Sequence, residues 1–302
     1  MKELAILGAT ASGKTALSLE LASKYRGIIL SLDSLSIYKE IDIASAKPTK
    51  KERGDIVHFG IDEIYPDEYF SSAMFIKLYQ KAKDYAKSNK TNLIIVGGTS
   101  FYLKSLCDGL SKFPKIEQDI KNEVSKIVKD KQKAYEIIKN IDNKYANNIS
   151  VWDSYRIGKW FEIYLSTKTP ASIYFEDNKK EPVIKDLSIF EIVVDREKLK
   201  KKIALRTKKM IQEGIIDEAF YLEKRYTRKP KPLKAIGIKE SLEYLDGKMD
   251  LVELEERITS ATARLAKRQT TFNKTQFKDI KRGDIKDIRN EITKYLTNKE
   301  SL

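Results

Sequence analysis

The chain has 302 residues, 41% hydrophobic and 34% charged, with 58 lysines and arginines against 44 acids for a net charge of +14. That length holds one large domain plus a smaller one, and the mixture is that of a globular chain, not a disordered one. A single cysteine (Cys107) and a single histidine (His58) exclude an internal disulfide and a Cys/His zinc site, and no apolar run reaches the ~18 residues of a membrane span.

Met1 leads straight into an apolar strand with no signal-peptide pattern, so a cytoplasmic protein is expected. The excess of cations favours polyanionic partners without choosing among DNA, RNA and lipid. A Ser-His-Asp triad would have to use His58, in Asp55-Ile56-Val57-His58-Phe59, which reads as a partly buried structural histidine.

In chain order, Lys2–Leu7 reads as a buried strand, and a helix runs from Gly13-Lys14-Thr15 to about Tyr25 with Leu17, Leu21 and Ala22 at helical spacing. Gly27–Ser31 is a second strand ending at Asp33. Ser71-Ser72 caps a helix through about Lys87, and Asn92–Val96 is a third strand closed by Gly97-Gly98. Strands alternating with helices predict an α/β fold, a P-loop NTPase-like parallel sheet flanked by helices.

From about Pro114 the texture turns lysine-rich and helical, which predicts a smaller all-helical insertion over 114–185. Trp152, Trp160 and Phe161 in it are expected to form a helical core. Ser188–Val194 returns as a core strand. Helices follow over about Arg196–Glu213, Ile215–Tyr226 and Asp250–Phe272, with Lys229-Pro230-Lys231-Pro232 as a basic extended linker. The expected division is a core of 1–113 plus 186–283, the insertion, and a helical tail over 284–302.

Gly8-Ala9-Thr10-Ala11-Ser12-Gly13-Lys14-Thr15 matches G-x-x-x-x-G-K-[ST] between a strand and a helix. Glycines let several N–H groups point into one concavity, the helix dipole adds positive potential, and Lys14 neutralises phosphate charge. Thr15 offers a hydroxyl to Mg²⁺. A phosphate-bearing ligand is therefore expected here. Many ATP-splitting relatives of this loop carry an acid after a neighbouring strand, but Asn92–Val96 ends in Gly97-Gly98-Thr99. The acid instead follows the second strand, at Asp33, beyond the carboxyl ends of the strands where ligands of open α/β sheets bind. Its position leaves three roles open: magnesium ligand, proton acceptor, or turn cap.

The run of motifs from Leu4 to about Phe272 resembles the tRNA dimethylallyltransferase (tRNA isopentenyltransferase) family of bacterial type. Besides the P-loop it includes Ser31-Leu32-Asp33-Ser34 with Ile37-Tyr38, Asp42-Ile43-Ala44-Ser45-Ala46-Lys47-Pro48, Val96-Gly97-Gly98-Thr99-Ser100-Phe101-Tyr102 and Arg264-Leu265-Ala266-Lys267-Arg268-Gln269. The resemblance implies transfer of a dimethylallyl group from dimethylallyl diphosphate to N6 of adenine 37 in tRNA. It implies Asp33 as proton acceptor, Thr10 and Arg206 as diphosphate-binding catalytic residues, Mg²⁺ at Thr15, and a monomer whose partner is the tRNA anticodon loop. By the same resemblance tRNA meets Asp33, Ser34, Leu35, Ser36, Thr99, Tyr155-Arg156-Ile157-Gly158-Lys159 and Lys234-Ala235-Ile236-Gly237-Ile238-Lys239, with Lys267 and Arg268 drawn to RNA by the motif. The chain departs from the family's habit at Ser154 (proline), Lys159 (arginine) and Ile238 (tyrosine). Competing readings are a P-loop kinase for a nucleotide or small metabolite, with ATP in the loop, and a non-enzymatic RNA-binding GTPase or ATPase.

Overall fold

A computed structural model describes residues 1–298; the last four residues of the expected tail lie outside it. The described chain forms two compact units, one of Met1–Cys107 with the chain from Ile184 onward, the other of Asp108–Val183. The divisions fall at 107/108 and 183/184 rather than at 113/114 and 185/186.

The first unit is built on six strands: β1 (Glu3–Gly8), β2 (Gly27–Leu32), β3 (His58–Phe59), β4 (Asn92–Gly97), β5 (Ser188–Ile192) and β6 (Lys281–Gly283). They run parallel in the order β3-β2-β4-β1-β5-β6. Gly97 of β4 is level with Leu7 on one side and Leu32 on the other. Three strand tips therefore open on one edge: Gly8 and the P-loop, Gly97-Gly98-Thr99, and Asp33. With β4 between them, the ends of β1 and β2 stand about 10 Å apart, the spacing of two strand steps.

Strands covered on both faces read as unbroken apolar runs, and β1 and β4 do. On one face Leu4, Ile6, Ile29, Ile94 and Phe190 pack with Leu17 and Leu21 of the helix Lys14–Lys24. The helix Ser72–Ser88, capped by the Ser71 hydroxyl, packs on β2, β3 and β4. The described part of the expected tail belongs to this core. Ile288 and Ile292 of the helix Ile285–Thr297 join the same apolar cluster, and β6 extends the sheet beside β5. Charged Lys281-Arg282 hides β6 from a search for apolar runs, as suits an edge strand.

Two further elements differ from expectation. Lys231–Lys234 is a 3₁₀ turn with Pro232 and Leu233 buried, not an extended linker, and a helix over Ile238–Leu245 follows it. The apolar pair Pro-Leu gives that basic segment an inner face, which its lysines mask in the sequence.

The second unit is all-helical, with helices Gln118–Ile127, Lys131–Ile141, Asn143–Ala146, Ser154–Thr167 and Ala171–Asp177. Trp160 is fully buried among Val124, Ile138, Ile157 and Ile163, stacked on Tyr164 at 4.8 Å. Gly158 sits where an added Cβ would be 3.5 Å from Val124. Phe161 is buried as expected, but Trp152 is 73% exposed. It precedes the N-cap Asp153, so the inward face of the helix never includes it.

Candidate active site

The P-loop is a cradle with few of its donors used. Gly13 has φ +94°, a left-handed conformation that glycine alone adopts without strain, and it hands the chain into the helix at Lys14. The first backbone bond of that helix runs from the Leu17 N–H to the Gly13 carbonyl, so the amides before Leu17 have no partner within the helix. Gly8, Ala9 and Ser12 are buried in the base of the loop; Thr10, Ala11 and Lys14 are half-buried and Thr15 is exposed.

A cavity of about 240 Å³ opens against this loop, lined by Thr10, Lys14, Thr15, Asp33, Thr99 and Arg206 among others. A wider basin of about 1040 Å³ shares Lys14, Thr15 and Arg206 with it. The Lys14 ammonium donates to the Ala9 carbonyl at 3.2 Å. Burial pulls its pKa down from 10.5 to about 8, with Asp33 opposing the shift and Arg206 adding to it. Burial also pulls Arg206 below the usual guanidinium range, again against Asp33. Arg206 projects from the helix Arg196–Gln212, which packs on the loop through Ile203 against Ala9. Lys14 and Arg206 thus share a partly desolvated space with Asp33, its single carboxylate, while Lys47, which also lines it, is paired with Asp42 and Asp62.

Asp33 follows β2. Its Oδ1 accepts from the backbone N–H groups of Leu35 (2.8 Å) and Ser36 (3.2 Å), while Oδ2 has no hydrogen bond among the described residues. One oxygen caps the turn, and the other faces a site. The turn is joined to β4 by Thr99, whose Oγ1 accepts from the Ser34 N–H at 3.1 Å. Gln269, from the helix Leu251–Gln276, accepts from the Thr10 N–H at 2.9 Å and donates to the Gly98 carbonyl at 3.1 Å.

Of the other residues singled out in the sequence, Ser34, Leu35, Ser36, Ala235 and Ile236 line the same cavity. Lys234 and Lys239 are exposed, whereas Gly237 and Ile238 are buried; a Cβ at Gly237 would lie 2.7 Å from Ile215. In the second unit Tyr155 and Arg156 are exposed, but Ile157 and Gly158 are buried in its core. Arg156 pairs with Asp153 at 2.8 Å and Lys159 with Glu162 at 2.6 Å. Lys267 and Arg268 are exposed on the Leu251–Gln276 helix.

Besides Gln269, three residues at the site were given no role in it by sequence reasoning. The Glu218 carboxylate accepts from the amides of Asp42 (2.7 Å), Ile43 (2.7 Å) and Ala44 (2.9 Å), pinning the 42–48 loop that walls both cavities. The nearly buried Lys47 ammonium holds the other end, on Asp42 at 2.6 Å, on Asp62, and on the Tyr38 carbonyl at 3.0 Å. Neither has a local signal; Lys47 stood only within the Ala-Lys-Pro run, with no role attached. His58, half-buried, lines the inner cavity, with Nδ1 2.7 Å from the Ile56 carbonyl. Burial pulls its pKa down, which favours the neutral ring.

Among the described residues no helix is long and apolar enough to cross a membrane. A family model described as IPP transferase matches residues 36–276. The chain is 54% identical to the tRNA dimethylallyltransferase of Aliarcobacter butzleri, over 98% of this chain and 100% of that protein. Against the Sulfurimonas denitrificans tRNA dimethylallyltransferase the identity is 49%, over 98% and 100%. Its structure aligns with the full-length tRNA isopentenylpyrophosphate transferase of Bacillus halodurans at a TM-score of 0.70 and 28% identity, covering 98% of this chain and 96% of that one. A eukaryotic dimethylallyltransferase acting on tRNA aligns at a TM-score of 0.80 and 25% identity, over 99% and 77%. A P-loop whose neighbouring acid follows β2 rather than β4, matched nearly end to end by such relatives, makes the chain a member of the IPP transferase family, that of the tRNA dimethylallyltransferases.

Proposed function

We propose that this enzyme transfers a dimethylallyl group from dimethylallyl diphosphate to N6 of adenine 37 in tRNA, with the donor's diphosphate on the P-loop and Asp33 at the acceptor amine. One observation carries the reading: Lys14 and Arg206 face a cavity in which a single carboxylate, Asp33, keeps an oxygen unused. Two cations that share a partly desolvated pocket repel each other, and an anion between them relieves that cost, which suits the pocket to a diphosphate. Breaking the allylic C–O bond throws negative charge onto the leaving diphosphate. Lys14, Arg206, the free amides of the loop and the Thr10 hydroxyl are the groups that would receive it.

The adenine amine is a weak nucleophile because its lone pair is delocalised into the ring. Asp33 Oδ2 would accept a hydrogen bond from N6, aim it at the allylic carbon and take the proton as the C–N bond forms. The turn bonds at Oδ1 keep the carboxylate from rotating away. Thr15, whose hydroxyl makes no hydrogen bond among the described residues, suits a magnesium ion carried in with the diphosphate; when bound, the ion would supply further neutralisation of the leaving group.

The acceptor lies in a stacked loop and must be flipped out to reach Asp33. Ser34, Leu35 and Thr99 at the cavity mouth, and exposed Lys234, Lys239, Tyr155, Arg156, Lys267 and Arg268, are the groups offered to RNA. The buried members of the expected tRNA stretches, Ile157, Gly158, Gly237 and Ile238, would act by shaping the backbone. The test is transfer of label from dimethylallyl diphosphate to unmodified tRNA. Asp33→Ala should lower kcat about a hundredfold or more while tRNA affinity changes little. Phosphorylation of a small acceptor from ATP, without prenyl transfer, would assign the loop to a kinase.

A further inference from the structure

The carboxamide of Gln269 joins two loops that leave different strands. Its Oε1 takes the Thr10 N–H at 2.9 Å and its Nε2 gives a hydrogen bond to the Gly98 carbonyl at 3.1 Å. Beyond Gly98 the connection continues. The Thr99 N–H donates to the Leu32 carbonyl at 2.8 Å, Thr99 Oγ1 accepts from Ser34, and the Asp33 carboxylate accepts from Leu35 and Ser36. A run of hydrogen bonds and short chain segments thus leads from the P-loop to the acid. The contact leaves no slack: a Cβ at Gly98 would lie 2.4 Å from Gln269 Nε2.

We propose that Gln269 is a positioning residue that fixes the spacing between Thr10 on the donor side and the Asp33 turn on the acceptor side. The inference rests on the functional reading above and assigns the device that holds its two halves in register. Displacements of about 1 Å between reacting groups can cost a hundredfold in rate. The side chain must offer both an acceptor for an N–H and a donor for a carbonyl, at one fixed length. Glutamine meets both demands. Glutamate would still accept from Thr10 but would set a lone pair against the Gly98 carbonyl, and methionine, of similar length, offers neither bond. The helix does not depend on the carboxamide for its place, because Leu254, Ile258, Ala266 and Asn273 bury its other contacts.

The experiment compares Gln269→Met and Gln269→Glu with the full-length wild type, measuring kcat, donor KM, tRNA affinity, thermal midpoint and hydrogen exchange at the Thr10 amide. Gln269→Met should lower kcat about tenfold or more, speed exchange at Thr10, and leave tRNA affinity and thermal midpoint near wild type. Gln269→Glu should be impaired at about pH 8.5 and recover relative to wild type towards about pH 5, as pH nears the ordinary Glu pKa of about 4.3, because a protonated carboxyl repeats the donor-and-acceptor pair. A purely structural role would not produce that pH signature. Wild-type kcat in Gln269→Met, a wild-type pH profile in Gln269→Glu, or loss of tRNA affinity by the same factor as kcat overturns the proposal. If Gln269→Met fails to fold, the pH profile of Gln269→Glu decides. Absence of prenyl transfer by the wild type itself would sink the functional reading and this inference with it, an outcome distinct from any change between variants.

Discussion

Asp142 in the second unit and Asp33 in the first begin alike. Each follows a regular element and turns one oxygen onto the backbone just ahead, Asp142 on the Tyr145 N–H at 3.1 Å and Asp33 on those of Leu35 and Ser36. The second oxygen separates them. In Asp142 it accepts from Trp160 Nε1 and from the Ser172 N–H, both at 2.9 Å, and the residue is buried. In Asp33 it has no such partner among the described residues and shares a cavity with Lys14 and Arg206. A buried polar group with every bond made holds a fold together, while one left incomplete beside cations in a cavity is a candidate for ligand binding.

The larger effect expected of the two carboxylates on stability comes from breaking the complete network. Asp142→Ala leaves three donors, the buried Trp160 Nε1 and the half-buried amides of Tyr145 and Ser172, without their acceptor and should destabilise the second unit by about 3 kcal/mol, read from the shift in a urea midpoint. Burial pushes the Asp142 carboxyl up, yet the bonds from Ser172, Trp160 and Tyr145 outweigh it and hold the pKa below the ordinary value. That contribution is therefore present above the unfolded-state carboxylate range and is lost as pH falls through the depressed pKa. In the mutant this part of the acid sensitivity should vanish. An effect below about 1 kcal/mol would mean that the unit reorganises around the loss.

The incomplete network predicts the opposite balance, function lost and fold spared. Arg206→Ala should raise the donor KM about thirtyfold, the size expected for charge-assisted bonds to a phosphate, with tRNA affinity unchanged. Since Arg206 makes no ion pair at bonding distance among the described residues, the thermal midpoint should not fall. A stability loss without a change in donor kinetics would make it a structural cation.

Much of the first unit is legible in its sequence because its rules are local. β1, the P-loop glycines and the Leu17–Leu21 spacing fix a strand, a tight turn and a helix within a single stretch, and tip-of-strand logic brings Asp33 to the same cavity. What stays hidden depends on neighbours distant in the chain. Gln269 is an ordinary polar residue on a helix until Thr10 and Gly98 stand beside it. Glu218 looks like a helix-start acid until three amides of the 42–44 loop close on it. β6 is charged, short and recognisable only by pairing with β5. Trp160 and Trp152 have the same composition around them, yet one lies inside a helix and the other ahead of its cap.

Lys14 offers a smaller and more diagnostic effect. Its pKa is pulled down by burial to about 8, so below that pH the folded protein bears the cost of a desolvated ammonium. The cost fades as pH rises from 8 towards the unfolded value of 10.5. Lys14→Met should thus abolish donor binding yet stabilise the fold by about 1–2 kcal/mol at pH 7, discounted for partial solvation, and the gain should shrink above pH 9 or so. In the wild type, donor affinity should fall as pH passes about 8, where the free enzyme loses this charge. A Lys14→Met protein less stable than wild type would show that the cradle is held up by its lysine and not strained by it.

The smallest effect is that of the exposed tryptophan, Trp152, with the buried Trp160 as its contrast. Trp152→Ala should alter stability by less than about 0.5 kcal/mol, because the ring is 73% exposed and outside the helix. Trp160→Ala should cost several-fold more, about 3–5 kcal/mol, from the cavity left among Val124, Ile138 and Ile163. An exposed indole a few residues before Tyr155 and Arg156 has no structural reason to be large. Any effect of Trp152→Ala on tRNA KM at constant stability then measures stacking on RNA, of which about 1–3 kcal/mol per base is available. An unchanged tRNA KM would leave the cationic side chains as the unit's proposed contact with RNA and the indole as bare surface.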